Sequence, residues 1–401
     1  MGEDRVNEQV SRRQVFYIPG FDPNPPRRYR ELFRREAQIQ ANLSGYKIVQ
    51  RPAEGHGPSA WQVDAEFDGT KVRTLYEVLV WSDIVKASMV PSFWNIFVRS
   101  LLYYLRYIYS GALWRMIRIR PGPAVAALYP PIVILTQLGL TAAAGFVVTN
   151  FVSTLVGIGP GVIVAAGTMW ALLRLWRYVD RWLYAQYLIL DYGYFARDNG
   201  QVPHELRTRL SEFADQIEAS LADNPDEILL IGHSSGANMA VIVADDLVRR
   251  GVADKTSFAL LTLAHSIPMT SFMPWAQDTR SALRFLSVQD NFTWADVSAP
   301  GDGACFALAD PVAVTGVATP DQKWPIVISA AFRKTLSPEQ LRHLRWRFFK
   351  RHFQYLCAFA SPGAYDFFAI TAGPIALSER VASWHPSPSR ISRVFSGYHD
   401  V

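Results

Sequence analysis

Hydrophobic and polar positions alternate along this chain in two distinct ways. Gln14-Val15-Phe16-Tyr17-Ile18, Glu227-Ile228-Leu229-Leu230-Ile231, Phe258–Leu263, Trp294–Ser298 and Trp324–Phe332 are short apolar runs of the length expected for strands. Helix-like segments such as Ala237–Ala244 lie between them. This alternation predicts a largely parallel sheet covered by helices on both faces. The other pattern is an uninterrupted apolar block. Pro121 to Leu173 contains no Asp, Glu, Lys, Arg or His. A membrane-spanning helix needs about 20 apolar residues, so the block has room for two. A core strand averages only about five or six.

The first span is expected to start near Leu128, with Pro130 and Pro131 in its first turn where they cost no hydrogen bond. It should end near Thr149–Phe151. Gly157-Ile158-Gly159-Pro160-Gly161 is dense in helix breakers and marks the turn. The second span then runs from Gly161 to Tyr178. Its shortness leaves a re-entrant hairpin open as the alternative to full spanning. Arg115, Arg118 and Arg120 precede the block, and Arg174, Arg177 and Arg181 follow it. By the positive-inside rule both flanks are cytoplasmic, which places the protein at a bacterial inner membrane with the remainder of the chain facing the cytoplasm. Phe93 to Arg120 is aromatic and basic with no acidic residue. It reads either as a helix lying on an anionic membrane surface or as an amphipathic helix packed on the rest of the protein.

Composition narrows the field. Half of the 401 residues are hydrophobic and 12 are Trp, which suits a protein with an apolar environment to face. The formal charge of +5 comes with no nucleic-acid-binding signature, so no nucleic-acid partner is expected. Cys305 and Cys357 are isolated and give neither a disulfide framework nor a metal site. No HExxH, Walker loop or strand-borne GxGxxG is present, so neither metal nor cofactor is expected. The polar start, Met1 to Gln14, does not read as a signal peptide, and Val6 does not support myristoylation.

Chemistry enters at Gly232-His233-Ser234-Ser235-Gly236. This is G-x-S-x-G between a strand and a helix, the setting in which the motif holds a strained, exposed serine. A chance match in a chain this long is roughly one in ten before that setting is counted. With Ala237, the motif resembles the nucleophile turn of α/β-hydrolase lipases and esterases. The resemblance covers the N-terminal strand and the chain after the apolar block. It implies an α/β-hydrolase sheet with helices on both faces, interrupted by a transmembrane helical hairpin. On this reading residues 1–90 are the first part of the hydrolase domain. Residues 91–182 are a membrane-associated insertion, with an interfacial helix at 92–120 and the hairpin at 128–178. Residues 183–401 complete the domain and end in a polar tail.

The resemblance further implies Ser234 as nucleophile, followed in chain order by an acid and a histidine. Pro19-Gly20-Phe21-Asp22 matches the early oxyanion loop, except that Pro stands where lipases often have His. The backbone N–H groups of Phe21 and Ser235 are the expected oxyanion donors. The acid is expected just past the Trp294–Ser298 strand, which selects Asp302 over Asp290, Asp296 and Asp310. The base belongs to the segment after the last strand. Ser337-Pro338-Glu339-Gln340 opens a helix there with a capping box, expected to run to Leu356. His352 and His343 both qualify, and His352, at the start of an aromatic run, is selected. The implied activity is hydrolysis of a carboxylic ester through an acyl-enzyme. A lipid is the expected substrate, and oligomeric state is left open. A catalytically silent scaffold acting as a membrane-bound binding protein is the alternative.

Overall fold

The computed structural model describes residues 9–89 and 93–401. Position 92, the expected start of the interfacial helix, lies outside them. Eight strands form one sheet: β1 (Arg12–Ile18), β2 (Lys47–Pro52), β3 (Ala60–Phe67), β4 (Thr70–Val78), β5 (Glu227–His233), β6 (Ser257–Leu263), β7 (Phe292–Ser298) and β8 (Ile326–Ser329). Their order is β2-β3-β4-β1-β5-β6-β7-β8. β2–β3 and β3–β4 pair antiparallel, and every other pair is parallel. The parallel half therefore unites chain from both sides of the apolar block, because β1 pairs directly with β5.

Alternate residues of the central strands pack on opposite faces. Val15, Tyr17, Leu229 and Ile231 join one buried cluster, while Phe16, Ile18, Ile228 and Leu230 join the other. Helix α1 (Arg27–Ser44) covers the first face. The second is covered by α2 (Ser82–Ser88), α8 (His204–Ala219) and α9 (Gly236–Arg249). The strands end together: Ile18 lies opposite Gly232, and His233 opposite Leu263. Loops at this carboxyl edge are where ligands bind in such sheets.

The intervening chain is helical. α3 (Phe93–Tyr109) and α4 (Ala112–Ile119) are separated at Gly111, whose φ of 74° breaks the single helix expected there. α5 (Pro121–Val156) and α6 (Ile158–Leu183) form an antiparallel hairpin and are longer than the sequence suggested. The expected glycine-rich turn shrinks to one residue, Gly157, at φ 92°. Gly159-Pro160-Gly161 instead makes the first turn of α6, where a proline lacks no needed donor and Gly161 lets Thr149 and Ser153 of α5 approach. α7 (Ala185–Ala196) follows at once and is almost wholly buried. Two further boundaries differ from expectation. β8 is four residues rather than nine. The helix opened by the Ser337 capping box stops at Leu344, and a second begins at Phe348. That break lets Phe349 pack tilted against Tyr184 at 4.3 Å and edge-on against Tyr187 at 5.4 Å.

Candidate active site

β5 runs into a turn in which Ser234 takes φ 59°, a left-handed conformation costly for any residue with a Cβ. The flanking glycines explain how the strain is held. A Cβ at Gly232 would sit 2.6 Å from the Ala240 Cβ, and one at Gly236 would overlap the Ile18 carbonyl oxygen. Helix α9 can thus pack tightly onto the strand and aim Ser234 outward. Ser234 lines a cavity of about 50 Å³ together with His352, His233, Asp191, Tyr187, Phe349 and Ala126.

Asp302 follows β7, and its Oδ2 accepts the His352 Nδ1–H at 2.7 Å. Two further donors fix the carboxylate: the Ala304 N–H at 3.0 Å and the Tyr355 hydroxyl at 3.2 Å. Arg351 ties the same loop by donating to the Gly301 carbonyl at 3.0 Å. Both members of the pair are buried. Burial would raise the Asp302 carboxyl, but His352 and the surrounding donors outweigh it and hold it below its ordinary range. Burial would likewise lower His352, yet Asp302 outweighs it and raises the imidazole. His352 Nε2 is buried without a hydrogen-bond partner. One ring nitrogen is thus committed to the acid while the other has no partner, in a residue that lines the cavity. The remaining candidates lie elsewhere. His343 is exposed and accepts from Arg347 at 2.6 Å. Asp296 is buried within β7, where it accepts from Thr262 at 2.7 Å. Asp310 caps the short helix after it.

The Pro19–Asp22 loop sits against this turn: a Cβ at Gly20 would meet the Ser234 Cβ at 3.1 Å. Trp81 donates to the Pro19 carbonyl at 3.0 Å, Tyr187 donates to that of Phe21, and the Asp22 carboxylate accepts from Tyr29 at 2.6 Å. The Phe21 N–H itself donates to the Ser235 hydroxyl at 2.9 Å. One of the two expected oxyanion donors is therefore already engaged. The Ser235 N–H makes no hydrogen bond among the described residues.

Four residues of the site were not anticipated from sequence. His233 donates from Nε2 to the His352 carbonyl at 3.0 Å and its Nδ1 takes the Tyr17 hydroxyl at 3.2 Å. Its ring also stacks on that of His352 at 4.9 Å. Burial, then the neighbouring His352, push it down to about 3, so it is neutral. Tyr355 braces Asp302. Tyr187 and Asp191 come from α7. Asp191 is buried beside the Ser235 hydroxyl and near His352, and burial pushes it up to about 7. Its Oδ1 has no partner. His233 lies within the Gly232–Gly236 motif, but no local signal marks the other three, since their roles depend on which elements the fold brings together.

A strained serine between a parallel strand and a helix, sharing a cavity with a buried histidine–carboxylate pair, is the arrangement expected of an α/β-hydrolase. Residues 182–291 match the family model described as Lipase (class 3). The match runs from the end of α6 through α7, the Ser234 turn and β6 to the residue before β7, and stops short of Asp302 and His352. It supports an α/β-hydrolase lipase/esterase family and, with it, a lipase-like ester-hydrolase activity in general. No curated protein and no solved structure matches it.

Proposed function

We propose that this chain is a membrane-anchored serine hydrolase that cleaves a carboxylic ester of a bilayer lipid through an acyl-enzyme. The observation that carries the reading is the cavity shared by Ser234, at φ 59°, and the unpartnered Nε2 of His352, whose Nδ1 is held by Asp302. His352 Nε2 takes the Ser234 proton as Oγ attacks the ester carbonyl, and Asp302 stabilises the imidazolium that forms. The developing oxyanion takes the Ser235 and Phe21 N–H groups. Once the ester carbonyl oxygen displaces the Ser235 hydroxyl from Phe21, each donor contributes about 3–4 kcal/mol in such chemistry. His352 then protonates the leaving alcohol and next activates the water that cleaves the acyl-enzyme.

Anchoring rests on α5 and α6. At 36 and 26 residues both exceed the about 20 needed to cross the hydrocarbon. Their apolar side chains are largely exposed, with Phe146 at 72%, Ile158 at 74% and Ile163 at 73%. A core helix of a water-soluble protein would bury such a surface. Arginines at both ends and none in the turn orient the hydrolase domain toward the cytoplasm. A fluorophosphonate probe tests the chemistry: the wild-type protein should be labelled and Ser234→Ala should not. Equal labelling of both would end the assignment.

A further inference from the structure

α5 is longer than a membrane crossing requires, and the excess lies on the catalytic side. At about 1.5 Å per residue, 36 residues extend about 54 Å, against a hydrocarbon thickness of about 30 Å. The contacts with α6 show which part is paired as a crossing. The Trp176 indole donates to Thr141 at 3.0 Å. Gly145 makes room for Met169, and Gly161 packs against Thr149 and Ser153. A crossing of about 20 residues, taken as Leu138–Val156, therefore includes all of these contacts and is opposed by the uncharged part of α6 and its first arginine, Arg174. The remainder, residues 121–137, continues for about 26 Å beside a stretch of α6 that carries Arg177, Asp180 and Arg181.

This first half of α5 has two unlike faces. Ala127, Pro130, Ile134 and Gln137 are buried against the protein. Val125, Leu128, Ile132 and Leu135, at helical spacing on another face, are exposed by 66, 37, 60 and 60%. α3 continues that surface with exposed Leu101, Leu102 and Ile108. It is joined to α5 by the Tyr104 hydroxyl, which donates to the Ala127 carbonyl, and by packing of Tyr104, Ile134 and Ile189. On α4, Trp114 and Arg118 are exposed one turn apart. The same half-helix reaches the catalytic cavity, because Ala126 lines it. Gly122 also meets Gly303, next to Asp302: a Cβ at Gly122 would lie 2.9 Å from the Gly303 Cα.

We propose that residues 121–137 of α5, with α3 and α4, form a second membrane contact lying in the cytoplasmic interfacial layer. It brings the cavity mouth to the depth of lipid ester groups. The substrate is then an ester held at the bilayer interface, reached along α5 without leaving the lipid. This rests on the hairpin being a membrane anchor. The occupant is lipid rather than a second copy because the exposed stripe is continuous with the crossing itself. The absence of any carboxylate from Phe93 to Leu173 also suits an anionic surface.

The test uses the full chain reconstituted in vesicles containing anionic phospholipid. A nitroxide is placed at Ile132→Cys, at Asn150→Cys in the crossing and at Glu54→Cys on the β2–β3 turn. Native Cys305 is buried, and burial raises the thiol of part-buried Cys357, so neither competes strongly for label. The Ile132 label should collide with dissolved oxygen more than with a water-soluble nickel chelate, as at Asn150, while Glu54 shows the reverse. Chelate access at Ile132 matching Glu54, with Asn150 still protected, overturns this inference and leaves the anchor standing. Chelate access at Asn150 overturns the anchor reading itself. Protection of Ile132 from both reagents, with spin–spin broadening between copies, also overturns it in favour of self-association. As a second measure, Leu101→Glu with Leu102→Glu should slow hydrolysis of a bilayer ester about tenfold or more, with a water-soluble short-chain ester unaffected. Equal loss on both substrates also counts against the proposal.

Discussion

Replacing Ser235 by Ala distinguishes two roles for its hydroxyl, with opposite signs. The Phe21 N–H donates to Ser235 Oγ at 2.9 Å, so an oxyanion that uses this donor must displace the hydroxyl. Asp191 beside it offers the displaced hydroxyl a new acceptor. A neutral hydrogen bond of this kind is worth about 1 kcal/mol net, which corresponds to about fivefold in rate. If the hydroxyl only competes, Ser235→Ala should raise kcat/KM on a p-nitrophenyl ester by up to about fivefold. The backbone N–H of residue 235 is untouched by the substitution. In the resting protein the Phe21 N–H would lose its partner, so stability should fall by about 1–3 kcal/mol, read as a lower Tm. If the hydroxyl instead donates to the oxyanion, activity should fall by about 10²–10³. A loss of that size, with Tm little changed, would refute the competitor reasoning.

Asp302→Asn should lower kcat by about 10³–10⁴, because an amide cannot hold the His352 Nδ1–H and stabilise its cation together. His343→Ala, altering an exposed residue, should stay within about twofold, a change of under 0.5 kcal/mol. The acid limb of the wild-type kcat/KM profile should lie above the ordinary histidine value, since Asp302 outweighs burial and raises His352. The catalytic base must be neutral, so activity should rise as pH rises through that value, while the stability from the charged pair is present below it and lost across the same window. A profile with its limb below the ordinary value would contradict this. His233→Leu should strand the buried His352 carbonyl and cost about 1–3 kcal/mol, seen in chemical denaturation. Wild-type stability would show that His233 does not brace the base. Excising 128–178 with a Gly/Ser bridge should keep short-ester activity, whereas excising 121–183 should abolish it by removing Gly122 and Ala126 from the site; equal activity of both would deny α5 a place in the cavity wall.

The parallel half of the sheet was legible because β1, β5, β6 and β7 are buried on both faces and so read as continuous apolar runs. β2–β4 were not anticipated. They form an antiparallel arm with one face exposed, and Gln62, Asp64, Arg73 and Lys71 interrupt the runs as they alternate with buried Trp61, Val63 and Val72. Ser234 could be found because its strain imposes glycines at fixed offsets. Asp302 and His352 carry no such local mark, and their selection came from the family's chain order. The structure does place them 2.7 Å apart. The helix boundaries were less legible where hydropathy is uniform. From Pro121 to Val156 hydropathy is uniform with no charged residue, so nothing in it separates a half-helix beside the cavity from a crossing.

That last ambiguity bears on how the enzyme is organised. An anchor that only tethers could join the domain by a flexible linker. Here the chain enters α5 directly from α4 through Arg120, which donates to the Ala307 carbonyl at 3.0 Å. It leaves α6 directly into α7, which contributes Tyr187 and Asp191 to the cavity. The Tyr192 hydroxyl then returns to the Pro123 carbonyl at 3.1 Å, closing the loop between the two ends of the hairpin. Tilting α5 would therefore move Gly122 against Gly303 and, with it, the loop that carries Asp302. A cavity of about 50 Å³ holds only a few water molecules, so on the proposed reading an acyl chain needs this wall to move. On that reading, the segment that must move for lipid to bind is the one that lies along the bilayer.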